Sequence, residues 1–235
     1  MSRQTVIPSA PPDEFTFASF EPGGSRALVE SVEAIAEGRR PGTVLYLWGK
    51  GGVGKTHLLH ACCAAAGALG RPFRYLNCDG LPDARDADVL PAAREPGCLV
   101  CLDDLRPPEH DGALELEWLS LYEEVRQAAG NLVVAASGPP GEIGLRTPDL
   151  VSRLSAGGVF HLATLDDAGK RRVLLKRARE RGFDMPEPVI EYIMRHHARD
   201  TGSLFSLLDR IDSASLSQHR RITIPFLREL LSGQG

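Results

Sequence analysis

Between residues 45 and 56 the chain reads Leu45-Tyr46-Leu47-Trp48-Gly49-Lys50-Gly51-Gly52-Val53-Gly54-Lys55-Thr56. An apolar run, a glycine-rich turn, a lysine and a hydroxyl make the pattern GxxxxGK[ST], in which backbone N–H groups gather round phosphate oxygens. Glycines at 49, 51, 52 and 54 permit backbone angles that side chains forbid, and the following helix offers its N-terminus to the anion. Lys55 reaches the β- and γ-phosphates, and the Thr56 hydroxyl ligates Mg²⁺. The same glycines spell a dinucleotide fingerprint, Gly49-x-Gly51-x-x-Gly54, with Asp79 placed after a second strand as a ribose-binding acid would be. Lys55 and Thr56 favour the P-loop, because a dinucleotide turn has no use for a cation and a metal-binding hydroxyl there.

A second chemical group lies at Cys98-Leu99-Val100-Cys101-Leu102-Asp103-Asp104. An apolar run ending in two acids is the Walker B pattern, a strand of a parallel sheet that delivers carboxylates beside the nucleotide. Asp103 is placed to hold Mg²⁺ through water and Asp104 to orient the attacking water. Leu132-Val133-Val134-Ala135-Ala136-Ser137 reads as a further strand, ending on a hydroxyl where a γ-phosphate sensor belongs. Phe15 to Phe20 alternates apolar and small residues, which suits core packing or a wall for adenine. His57 and His60 stand three apart on the P-loop helix, but no third metal ligand is evident nearby, so buried or capping roles fit them better. The five cysteines read as small core residues. Cys62 and Cys63 are neighbours in one helix, and the Cys98-x-x-Cys101 pair lies in a strand with no second pair to complete a metal site.

These groups need a framework, and the hydrophobic pattern supplies one. Strands are expected at 45–48, 73–77, 98–104, 132–137 and 159–162. Helices are expected from Ser25 to Glu37 and Thr56 to Leu69, in a short stretch after the Pro- and Asp-rich segment that follows residue 77, and from 114 to near Gly130. In the last of these Leu114, Leu116, Trp118, Leu119, Leu121, Tyr122 and Val125 form the apolar face. A short capped helix is expected over Thr147–Leu154. Strand and helix in alternation mean α/β with a parallel sheet. From Asp166 the pattern turns wholly helical, over 166–181, 186–197, 203–217 and 224–231, parted by Gly182, Gly202 and the Arg220-Arg221 turn. Residues 1 to 13 read as a disordered tail punctuated by Pro8, Pro11 and Pro12. Gln4, Val6, Ile7 and Pro8 within it fit either a solvated tail or a short motif that docks into a partner's groove.

At 235 residues, 43% hydrophobic and 25% charged, the chain is an ordinary globular one. It holds no apolar run of membrane-spanning length, and its start has no secretion-signal core, so a cytoplasmic protein is expected. A net charge of −4 gives no general attraction to nucleic acid.

Taken together the chain resembles an AAA+ ATPase domain of the DnaA type over about residues 15 to 232. The resemblance rests on Thr16-Phe17-Ala18-Ser19-Phe20, on Gly52-Val53-Gly54-Lys55-Thr56-His57-Leu58-Leu59-His60-Ala61, on Asp103-Asp104 and on Asp149-Leu150-Val151-Ser152-Arg153-Leu154. Within that group it is similar to the Hda family, on Arg181-Gly182-Phe183, on Leu204-Phe205 to Leu208-Asp209-Arg210-Ile211-Asp212, and on Ile222-Thr223-Ile224-Pro225-Phe226-Leu227. The resemblance implies a tail over 1–14, a nucleotide-binding α/β domain over 15–163 and a helical lid over 164–235. It implies ADP or ATP with Mg²⁺ held by Gly49, Gly51, Gly52, Val53, Gly54, Lys55, Thr56 and His57, with Ser137 as sensor. It further implies a protein that docks on the DNA-loaded β sliding clamp of DNA polymerase III through Gln4, Val6, Ile7 and Pro8. There it makes DnaA hydrolyse its bound ATP, touching DNA only indirectly, and a homodimer is compatible with this. Arg153 would be the arginine that reaches the neighbouring subunit's nucleotide, the plainer reading being a surface or capping arginine. Some positions depart from the family pattern: the tail lacks its outer leucines, Gly202 or Ser203 stands where a sensor arginine is expected, and the second Walker B acid is Asp104. A regulator with weak ATPase of its own is therefore expected. The rival readings are a DnaA-like helicase loader and a P-loop ATPase acting on its own substrate.

Overall fold

Parallel pairing organises the first part of the chain. In the computed structural model, which describes residues 15–78, 95–108, 113–197, 201–218 and 222–232, five strands form one sheet: β1 (Val44–Trp48), β2 (Phe73–Asn77), β3 (Leu99–Leu105), β4 (Asn131–Ala136) and β5 (Gly158–His161). Their order is β2-β3-β4-β1-β5, and all neighbours are parallel. β1, β3 and β4 are almost continuously buried, as strands covered on both faces must be, and their sequences are correspondingly apolar throughout. Helices α1 (Arg26–Ala36), α2 (Lys55–Ala68), α3 (Ala113–Gln127) and α4 (Pro148–Ala156) connect and flank them. One face of the sheet packs Tyr46, Val100, Val134 and Leu105 against Trp118, Tyr122 and Val125 of α3 and Leu150 and Leu154 of α4.

The helical stretch folds as α5 (Asp167–Glu180), α6 (Glu187–His196), α7 (Thr201–Gln218) and α8 (Ile224–Ser232) round a core that includes Leu174, Ile190, Leu204, Leu208 and Phe226. The Asp166 carboxylate caps α5 by accepting from Gly169 N at 2.7 Å. At its other end Gly182 takes φ +78°, and Phe183 N returns to Ala178 O, the left-handed stop that glycine makes without strain. The described residues up to Lys50 and from Gly54 to Leu162 form one compact unit. Gly51–Val53 and the described residues from Ala163 onward form the other.

Two expectations are corrected. Leu116, assigned to the apolar face of α3, is 59% exposed, while its neighbour Glu115 has no exposed surface. β4 ends at Ala136, so Ser137 lies in the turn beyond the strand and is exposed. Residues 15–20 form a turn: Thr16 N donates to Ser19 Oγ and Ser19 N to Thr16 Oγ1, both at 3.0 Å. The tail with Gln4, Val6, Ile7 and Pro8, Asp79 and the short helix expected after it, and the Arg220-Arg221 turn lie outside the described residues. Among the described residues no helix is long and apolar enough to cross a membrane.

Candidate nucleotide site and the arginine of α4

β1 and α2 frame the phosphate loop. Gly49 N, the first residue past β1, donates to Ala136 O at 3.3 Å, which ties the loop's start to the end of β4. Gly52 and Gly54 take φ of +74° and +100°, angles open to glycine. At Gly54 space also excludes a side chain, since a Cβ would stand 2.8 Å from Cε2 of Phe20. α2 begins at Lys55, so its free N–H groups face the loop, the arrangement that binds an anion. The Lys55 ammonium folds back and donates to Gly49 O at 2.7 Å and Lys50 O at 3.0 Å. Burial lowers its pKa, and the charges of Asp103 and Asp104 oppose that shift, so both acids are near enough to be felt. Thr56 is exposed in the first turn of α2.

His57, one residue further, turns the other way. Its Nε2 lies 2.9 Å from Thr16 O, which can only accept, so that nitrogen carries the proton. Phe15 and Phe20 meet the ring edge-on, with centroids at 5.0 and 5.3 Å. His57 thereby pins residues 15–20 against α2 beside the loop.

At the end of β3, Asp103 is 4% exposed and both its oxygens are engaged. Oδ2 accepts from the Tyr75 hydroxyl at 2.8 Å, and Oδ1 from Asp104 N at 2.9 Å. Asn77 is the residue in register with Asp103, so Tyr75, two residues earlier on β2, shares its face. Asp104 sits at φ +53°, where the β3–β4 pairing shifts between Leu102 and Leu105. This bulge turns the second acid out of the ladder to half-exposure, and it pairs with Arg106. His60 is stacked between Phe15 at 5.5 Å and Tyr75 at 4.3 Å. Its Nδ1 is buried without a hydrogen-bond partner, and burial lowers the ring's pKa against the pull of Asp103. A continuous ring stack therefore runs from the 15–20 turn to Tyr75, the partner of Asp103. Tyr75 was not singled out from the sequence, because its role appears only once β2 and β3 are placed in register.

The cysteines are all free and buried. Cys101 bonds to the thiols of Cys62 and Cys63, and this contact with burial raises its pKa well above the ordinary value. Burial pushes Cys78 to about 12. Thiols held protonated in this way fit packing. Among the described residues no group of His, Cys, Asp and Glu is arranged to hold a metal by itself.

Arg153 is on α4, away from these contacts. Its side chain is half-exposed, with Nε 3.1 Å from Oε1 of the half-exposed Glu123 on α3. Pro148 opens α4, and Thr147 is the N-cap but makes no side-chain cap bond. Glu115 serves instead. Its buried carboxylate accepts from Thr147 N at 2.7 Å and from Arg146 N at 2.9 and 3.1 Å. Neither Glu115 nor Glu123 stood out in the sequence.

In the helical unit, the start of α7 carries Thr201, Gly202 and Ser203, where a sensor arginine was expected. Arg181 pairs with Asp209, and the buried Arg177 guanidinium lies 4.7 Å over the ring of Phe205. Both arginines are thus engaged inside their own unit.

Residues 167–231 match a family model described as Hda, lid domain. The chain is also similar to several solved structures. Domain III of the Thermotoga maritima replication initiation protein DnaA aligns with a TM-score of 0.80 at 18% identity, over 94% of this chain and 97% of that one. AMPPCP-bound DnaA from Aquifex aeolicus aligns with 0.72 at 20% identity, over 86% of this chain but 66% of that longer one. A Thermotoga maritima RuvB variant aligns with 0.68 at 16% identity, over 95% of this chain and 72% of that one. The fold is therefore that of a P-loop AAA+ domain followed by an all-helical lid, and the chain resembles Hda among DnaA-related proteins.

Proposed function

We propose that this chain is a cytoplasmic, nucleotide-bound regulator that restrains replication initiation by making DnaA hydrolyse its ATP, acting with the sliding clamp on DNA. The single observation that carries the reading is Arg153. It stands outward on a helix braced by the sheet, beside the last strand, in a chain whose lid matches the Hda model. A guanidinium stays charged at any working pH and presents a fork of donors, so it can meet charge as it shifts on a γ-phosphate in the transition state. Trans arginines of this kind contribute on the order of 10³ to 10⁵ in rate in other nucleotide hydrolases.

The phosphate-loop residues fit a nucleotide of the chain's own. The glycine angles, the N-terminus of α2 and the Lys55 ammonium suit phosphates, and the turn over 15–20 suits the base. ADP or ATP would be held there, with Thr56 and Asp103 holding Mg²⁺ and Asp104 and Ser137 facing the γ-phosphate. Mg²⁺ would neutralise phosphate charge. Asp103 would contact the metal through water, and with Asp104 as the shorter second acid turnover in cis would be slow. Gln4, Val6, Ile7 and Pro8 supply the clamp-binding peptide in this reading.

The test is hydrolysis of DnaA-bound ATP in the presence of clamp and DNA, with wild-type chain, Arg153→Ala and Arg146→Ala. Wild type should stimulate, Arg153→Ala should lose at least about a thousandfold of any finger-dependent rate, and Arg146→Ala should change little. Full stimulation by Arg153→Ala defeats the mechanism, and no stimulation by wild type defeats the reading as a whole.

A further inference from the structure

α3 touches α4 through two carboxylates that do different work. Glu115 is completely buried, and its oxygens accept from two N–H groups, those of Thr147, the N-cap of α4, and of Arg146, the residue before it. A buried charge is a poor way to fill space, because a well-packed apolar residue avoids its desolvation cost. What the carboxylate adds is direction. It fixes two successive backbone N–H groups, and so the origin of the helix, from a point on a neighbouring element. Eight residues further along α3, Glu123 meets the arginine itself. The ion pair is made at Nε, on the side of the guanidinium away from the outer edge formed by the two Nη groups. That edge is the fork that can grip two oxygens of one phosphate.

We propose that Glu115 and Glu123 are positioning residues for Arg153: Glu115 sets where α4 begins, and Glu123 sets the rotamer that turns the Nη fork toward a partner's phosphate before the partner arrives. This rests on Arg153 acting on a nucleotide in trans. Pre-orientation of this kind raises the rate of the step rather than the strength of docking, since the rotamer is selected in advance. Because the Arg153–Glu123 pair is half-exposed, it biases the population by at most about fivefold.

The experiment uses the full chain, DnaA-ATP, clamp and DNA, and separates maximal stimulated rate from half-saturating concentration. Glu123→Ala should lower the maximum by up to about fivefold, with the half-saturating concentration unchanged. Glu123→Asp keeps the carboxylate and should recover more of the loss than Glu123→Gln, which removes the charge. In the free protein, the order parameter of the Arg153 Nε–H should fall in Glu123→Ala and fall less in Glu123→Asp. Glu115→Gln should quicken amide exchange at Arg146 and Thr147 while β4 amides hold; if that variant fails to fold, the Glu123 series decides. Wild-type rates from Glu123→Ala, or a higher rate, alongside an inactive Arg153→Ala would overturn the positioning role and leave the arginine in place. An active Arg153→Ala would instead overturn the trans mechanism beneath it.

Discussion

The phosphate-loop end of the sheet and the outer side of α4 carry their charges in opposite ways. Around the loop, Lys55 is folded onto its own carbonyls, Asp103 is held by Tyr75 and by its neighbour's N–H, and His57 is tied to Thr16. On α4, Arg153 has one half-exposed partner and otherwise faces solvent. The first arrangement is tied by contacts within the chain, which suits the resident nucleotide proposed above. The second is a contact left unfinished within the chain, which is what an encounter with another molecule requires. If the proposed function holds, the difference teaches that holding a nucleotide and acting on one fall to separate places in the chain.

Three measurements press on that contrast. The largest effect is expected in melting temperature with and without ADP and Mg²⁺. Ligand at about a hundred times its Kd should stabilise the fold by roughly 2.7 kcal/mol; Lys55→Ala should erase most of that gain, and Arg153→Ala should keep it. If Arg153→Ala also loses the gain, the two places are not independent.

A smaller effect should appear in the pH dependence of stability. Burial lowers the pKa of His60 in its stack, with Asp103 pulling the other way. Below the ordinary histidine value of about 6.5 the unfolded chain then binds the proton more readily than the folded one, so stability falls as pH drops from about 7 toward 5. His60→Phe keeps a ring between Phe15 and Tyr75 and should flatten that slope. Arg153→Ala should leave the slope as it is, and a His60→Phe slope equal to wild type would remove the histidine from the account.

The smallest change belongs to the exposed side of α3. Leu116→Ala should alter unfolding free energy by no more than about 0.5 kcal/mol in denaturant titration. A larger loss would place Leu116 in a contact that its exposure denies.

What could be read from the chain beforehand follows from how local each signal is. The P-loop and the Walker B strand are runs of adjacent residues whose types alone dictate the backbone, and the observed strands fall within a few residues of those expected. The helical lid was legible for the same reason, from apolar spacing and from the break at Gly182. Glu115 was hidden because an apolar stripe made its neighbours Leu114 and Leu116 look like core. Its partners are backbone groups about thirty residues away, which no periodicity records. Tyr75 was hidden by register, since only the pairing of β2 with β3 sets it beside Asp103. His57 was seen as buried or capping, yet its hold on Thr16 depends on a turn about forty residues earlier that the pattern did not foretell.

The strand order also has a consequence in time. β1 pairs with β4 and β5 and with neither β2 nor β3, although it precedes both in the chain. During synthesis β2 and β3 can join as soon as both have left the ribosome, while the strand that ends in the phosphate loop waits for residues 131–136. At about 5–20 residues per second that wait is on the order of ten seconds. Through it a strongly apolar strand stands without partners, exposed to aggregation and to chaperones. Nucleotide cannot shorten the delay, because the ledge that receives Gly49 N is Ala136 of β4. Slowing translation between β1 and β4 should therefore lower the yield of folded protein more than an equal pause placed after β5.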